Sequence, residues 1–174
     1  MGAEGPTGPL QAAQKGPVLL CFDGSPDATE AIERAGAIVA GGTALVVYAW
    51  LPPSALLLQG RLLDDPHPLA PAAAEFDAAA AADAERIAAE GARLASLAGF
   101  DATSVAAPAA LSIWRAIVEV ADKHDARLIV VGSHGRSAVQ SMLLGSVSRA
   151  IVNHSSRPVL VAPCSGNHPG TPSG

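Results

Sequence analysis

Five short apolar runs rich in β-branched residues, each separated from the next by residues of helical period, restrict this chain to few folds. They are VLLCF (18–22), ALVVYAW (44–50), ATSVAA (102–107), RLIVVG (127–132) and PVLVA (158–162). Continuous apolar runs mark strands buried on both faces, as a parallel sheet between helix layers requires. Strands alternating with helices imply right-handed βαβ crossovers and hence an α/β domain. Scarce aromatics (3%) beside a 49% hydrophobic fraction favour helices packed closely on a sheet over an aromatic-cored sandwich.

The intervening stretches carry helix signals. After FDGSP, Ser25 caps a helix, Pro26 takes its first position and Asp27 lies near its positive end. Ile32, Ala35, Ile38 and Val39 make its apolar stripe, and Gly41-Gly42 ends it. In the Ala-rich stretch the stripe is Phe76, Ala80, Ala84, Ile87, Gly91, Leu94 and Ala98, with Asp77, Glu85, Arg86 and Glu90 on other faces. Ile113, Ala116, Ile117, Val120 and Ala121 repeat the pattern, with Glu119 and Lys123 paired outside. Ser146 opens a fourth helix through Val147, Ala150 and Ile151.

Residues 1–15 and 164–174 read as flexible Gly/Pro/Ser-rich tails around a single domain at 16–163. Within it, 51–74 is a Pro/Leu-rich inserted loop whose prolines forbid a long regular element and whose leucines need burial. A net charge of −5 argues against a nucleic-acid partner, and no apolar run reaches membrane-spanning length. The N-terminus has no signal-peptide layout, so a cytoplasmic location is expected. Cys21 and Cys164 are expected to stay reduced. The five histidines show no metal-ligand spacing, so no metal centre is expected.

The chemistry concentrates in VVGSHGRSAVQSMLLGSVSRAIV, residues 130–152. A strand delivers the chain to Gly132 and Gly135, and a helix begins at Gly145-Ser146. A helix start offers unpaired backbone N–H groups and partial positive charge, which favour phosphate, and glycine lets a ligand approach the backbone. Asp23, at a strand end before Gly-Ser, fits either a turn residue or a ligand contact. The chain lacks the P-loop lysine motif, the dinucleotide Gly-x-Gly-x-x-Gly after its first strand, and the hydrolase Gly-x-Ser-x-Gly spacing.

Here the chain resembles the nucleotide-binding type of the universal stress protein family, through GSHGRSAVQSMLLGS and that family's Gly-x2-Gly-x9-Gly-[Ser/Thr] motif. The likeness runs from FDGS through the Pro-rich loop to RPVLVAP. It implies a Rossmann-like open five-stranded parallel sheet, order 3-2-1-4-5, with helices on both faces and ATP at the strand C-terminal ends. By resemblance Asp23 contacts the adenosine part, Ala49 borders adenine, and Val131 and Gly132 border adenine and ribose. His134 and Gly135 follow in the phosphate loop, and Gly145, Ser146, Val147 and Ser148 form the phosphate-binding helix start. Mg²⁺ is carried with the nucleotide, and Arg136 and Arg149 are the nearest cations. Arg127 departs from the family's usual Asp, and AALSIW replaces a glycine common after the third strand.

The expected function is an ATP-binding regulatory stress-response protein, with AMP or cyclic nucleotides as other adenine ligands and little or no turnover. The alternatives are a slow ATPase or phosphotransferase using His134 and Mg²⁺, and a nucleotide-independent dimeric scaffold. A homodimer is expected through the last strand, 158–162, whose bare edge would otherwise stay unpaired.

Overall fold

The computed structural model describes residues 16–39, 41–55, 70–135 and 144–163. Its elements are β1 (Val18–Cys21), α1 (Pro26–Val39), β2 (Gly42–Trp50), α2 (Ala70–Leu97), β3 (Phe100–Pro108), α3 (Ile113–Lys123), β4 (Leu128–Gly132), α4 (Ser146–His154) and β5 (Val159–Ala162). The five strands form one parallel sheet in the order β3-β2-β1-β4-β5, as expected. The chain runs outward from β1 in one direction and from β4 in the other. A crevice therefore opens at the C-terminal ends of these two strands.

Strand period two sorts the core into two layers. Val18, Leu20, Phe22, Val46 and Val130 pack with Ala31, Ile32 and Ala35 of α1 and Ala95 of α2. Leu19, Cys21, Val47, Ile129 and Val131 face the other way, onto Ala116, Ile117 and Ala121 of α3 and Ile151 of α4. Both layers are needed, so every residue of β1 is buried.

At the start of α1, the Ser25 hydroxyl accepts the Ala28 N–H at 3.2 Å, and the Ser25 carbonyl accepts the Thr29 N–H at 3.1 Å. The helix ends before Gly41 and Gly42, whose φ values of 81° and 101° suit glycine. Ala28, Ala31, Ile32 and Ala35 are buried, as the period requires. Ile38 corrects the expected stripe: it is 67% exposed, because Val39 takes the next inward position.

Three further expectations need correction. The helix in the Ala-rich stretch reaches back through Pro71 to Ala70, claiming the last residues of the expected loop. A proline in a helix's first turn forfeits no hydrogen bond there. Phe76 is 65% exposed because α2, about 42 Å long, outruns strands of at most about 30 Å. Ala84 and Gly91 of the expected stripe are buried together with Ala88 and Ala95, and Ile87, Leu94 and Ala98 pack partly buried against the core. Asp77 does not stand on a free outer face: its carboxylate accepts the Ser54 N–H at 3.0 Å and the Ser54 hydroxyl at 2.5 Å.

Among the strands, β3 is not covered on both faces. It is an edge strand that exposes Asp101, Thr103 and Ser104. Glu119 and Lys123 form no ion pair; an exposed pair gains little over hydration and side-chain entropy. Trp114 is half-buried and stacks on His154 at 4.7 Å, joining α3 to α4. The tails 1–15 and 164–174, with Cys164, and residues 56–69 of the expected loop lie outside the described residues.

Candidate functional site

The sheet's C-terminal edge walls a cavity of about 730 Å³, within the usual range for small-molecule sites. Asp23 enters it from the end of β1, Ala49 from β2, and Val131 and Gly132 from β4. His134 and Gly135 enter from the loop after β4, and Gly145, Ser146, Val147 and Ser148 from the start of α4. Arg136 lies outside the described residues. Arg149 is exposed on α4 and is not part of the wall.

Short bonds fix the phosphate-loop side. The Gly145 N–H donates to the Ser133 carbonyl at 2.7 Å, and the Ser133 N–H donates to the Ala162 carbonyl at 2.8 Å. The buried Ser148 hydroxyl donates to the Gly132 carbonyl at 2.7 Å, tying α4 to the end of β4. That proton is committed, so Ser146, which is exposed, is the hydroxyl at this helix start turned to solvent. The Ser133 hydroxyl lies 3.1 Å from Nδ1 of His134, steadying the ring.

Gly145 caps α4 with φ −63° and ψ 161°, values open to any residue. A Cβ there would stand 3.4 Å from the Ser133 carbonyl oxygen and 3.6 Å from the His134 Cα, ordinary contacts. Neither backbone strain nor contact with the described residues demands glycine here. Among the described residues no side chain caps the helix. Among the described residues no acceptor meets the N–H groups of Ser146, Val147 or Ser148. These amides and the helix dipole form a small positive field beside the cavity.

Asp23 serves as a turn residue and as part of the wall. Its Oδ1 accepts the Ser25 N–H at 2.9 Å, which braces the entry to α1. A Cβ on Gly135 would lie 2.7 Å from Asp23 Oδ2, so glycine at 135 leaves room for the carboxylate. Cys21 lies beneath. Burial first, and the nearby Asp23 charge second, push its thiol up to about 12, so it stays protonated and unreactive at neutral pH.

Sequence reasoning missed the apolar walls. Tyr48, Trp50, Ala80, Ala84, Ile113 and Ile117 line the same cavity from β2, α2 and α3. Their spacing is that of core residues, so pattern alone does not separate wall from interior. Among the described residues no group of His, Cys, Asp and Glu is placed to hold a metal ion, and no helix is long and apolar enough to cross a membrane.

A five-stranded parallel sheet in this order, with helices packed on both faces, defines an open α/β fold class. The model of the universal stress protein family matches residues 16–163, and the chain belongs to that family. It is similar to universal stress protein Rv1996 of Mycobacterium tuberculosis, 62% identical over 37 residues, which are 21% of this chain and 12% of that protein. It is also similar to universal stress protein MJ0577 of Methanocaldococcus jannaschii, 40% identical over 45 residues, 26% of this chain and 28% of the relative. These matches thus span less than a third of either relative's length. The solved structure of MJ0577 shares the fold, with a TM-score of 0.68 and 19% identity over 87% of this chain and 98% of that one. A universal stress protein solved in complex with cAMP matches with a TM-score of 0.59 and 27% identity, covering 84% of this chain and 96% of its own.

Proposed function

We propose that this chain is an ATP-binding regulatory protein of the stress response, with little or no turnover. The observation that carries this is Gly145: a glycine that neither its backbone angles nor its described neighbours require, at a helix start that no described side chain caps, inside a cavity. A phosphate oxygen approaching the Ser146 and Val147 amides is a physical reason for that missing side chain. The related protein solved with cAMP supports an adenine ligand of this kind.

In this arrangement α4 receives the phosphates, while Asp23, Ala49 and Val131 hold the nucleoside. Strand β2 is two places from β4, and two strand spacings come to about 9–10 Å, a suitable span for a nucleotide. Gly132 and Gly135 keep the loop low, and His134 and Arg136 donate to phosphate. Mg²⁺ arrives with the nucleotide and offsets its charge. The cytoplasmic location expected from the sequence belongs to the same proposal.

Ser146→Ala deletes one hydroxyl donor to a charged acceptor. ATP affinity should fall by about 1.5–3 kcal/mol in calorimetric titration, with the fold unchanged. Equal affinity would remove Ser146 from the site. A phosphate-release assay run alongside should give no turnover above a His134→Ala control. Sustained release that depends on His134 and Mg²⁺ would favour the enzyme reading.

The proposal includes a homodimer through β5. This strand is a sheet edge with partly exposed Val159, Leu160 and Val161, and Pro158 and Pro163 flank it. Pairing with a second copy would satisfy its outward backbone groups. Sedimentation equilibrium should give twice the chain mass at micromolar concentration. A monomer at every concentration tested would exclude that interface.

A further inference from the structure

Two residues of α4 are buried, Ser148 and Ile151, and the first is polar. Alanine would form helix better at that place and bring no hydroxyl to satisfy. A serine within a helix ordinarily bonds back to the carbonyl one turn earlier. Ser148, only 3% exposed, instead donates to the Gly132 carbonyl at 2.7 Å, 16 residues away. Gly132 is itself held: it ends β4, pairs with Ala162 of β5, and the following N–H, of Ser133, donates to the Ala162 carbonyl at 2.8 Å. The end of β4 is therefore a fixed post. Helix α4 has nine residues, too few to keep a helix start in place by its own stability.

We propose that Ser148 is a positioning residue of the phosphate site: its hydroxyl ties the first turn of α4 to Gly132 and does not itself bind phosphate. This rests on the nucleotide reading given above, and it replaces the phosphate contact that the family resemblance implies for Ser148. A hydroxyl has a single proton to donate. With that proton on the Gly132 carbonyl, Ser148 turns only lone pairs toward the cavity it lines, and these repel a phosphate oxygen. The phosphate meets the Ser146 and Val147 amides instead, and the tether decides where those amides stand. A second bond crosses the same junction, from the Gly145 N–H to the Ser133 carbonyl at 2.7 Å, and reports whether the tether holds.

Ser148→Ala deletes the tether and adds no bulk. In the ligand-free variant, hydrogen exchange at the Gly145 amide should speed up by about 2- to 12-fold more than at the buried β1 amides, which report global opening. In calorimetry ATP and tripolyphosphate should both weaken by about 2- to 12-fold, while adenosine binds as it does to the parent. Ser148→Cys keeps a weak donor and should fall between the two in both readouts. ATP binding to folded Ser148→Ala as tightly as to the parent would overturn the assignment and leave the nucleotide site standing. So would weaker ATP binding with Gly145 exchange that merely follows β1, since the hydroxyl would then act on the ligand directly. Silence in calorimetry for ATP, adenosine and tripolyphosphate with the parent chain would overturn both readings. Should Ser148→Ala fail to fold, Ser148→Cys carries the same comparison.

Discussion

Gly145→Val is expected to weaken ATP binding about 100-fold or more while the protein still folds. The two halves of that expectation have separate causes. Backbone angles at 145 are ordinary, and a Cβ would meet the Ser133 oxygen at 3.4 Å, so folding tolerates a side chain. The methyl groups of valine would then stand over the first-turn amides of α4, where phosphate oxygens have to come close. Calorimetry with ATP, paired with a thermal melt, checks both halves. Unchanged affinity in a folded variant would mean that this glycine merely shapes a turn.

Gly91→Val should cost about 3 kcal/mol of stability, equivalent to a fall of about 6–12 °C in Tm. Replacing a glycine within a helix ordinarily gains up to about 1 kcal/mol in helix propensity. Here packing outweighs it. A Cβ on Gly91 would lie 2.7 Å from Cδ1 of Phe22 and 2.8 Å from Cγ1 of Val46, closer than real Cβ contacts come. Both neighbours are buried, Phe22 at 5% exposure and Val46 at 0%, so neither can swing away. Urea unfolding of Gly91→Val against the parent gives the sign. Equal or higher stability would mean that α2 does not settle on the sheet at this point.

The strand runs and the helix signals were legible because a covered parallel sheet writes its own pattern. Each β-branched run must satisfy two apolar layers, which gives Leu19 and Leu20 opposite partners. The Ser25-Pro26 helix start could be read for a similar reason: its side-chain chemistry is local. What failed depended on distant geometry. Phe76 has the right period but lies beyond the end of the sheet, a matter of element length that no short window records, and Ile38 yields the inward position to Val39. Proline was overread at 71, where the first turn accommodates it.

At the site, glycine spacing and the residues around it pointed to the loop after β4, and the cavity gathers those that are described. Two properties could not be read from letters. Ser148 is spelled like a phosphate-binding serine, yet its hydroxyl is spent on the Gly132 carbonyl. Trp50 is spelled like the end of a buried strand, yet its indole nitrogen is buried there without a hydrogen-bond partner. Which hydrogen bonds are already taken emerges only once β4, α4 and β2 stand side by side.

The most direct test of the nucleotide site is amide NMR of the parent chain as ATP is added. The expected result is a saturable shift largest at the Ser146 and Val147 amides, with Gly132, Gly135 and the Asp23 turn following at the same affinity. No saturable shift with ATP, AMP or cAMP, or shifts confined to residues outside the cavity, would contradict it.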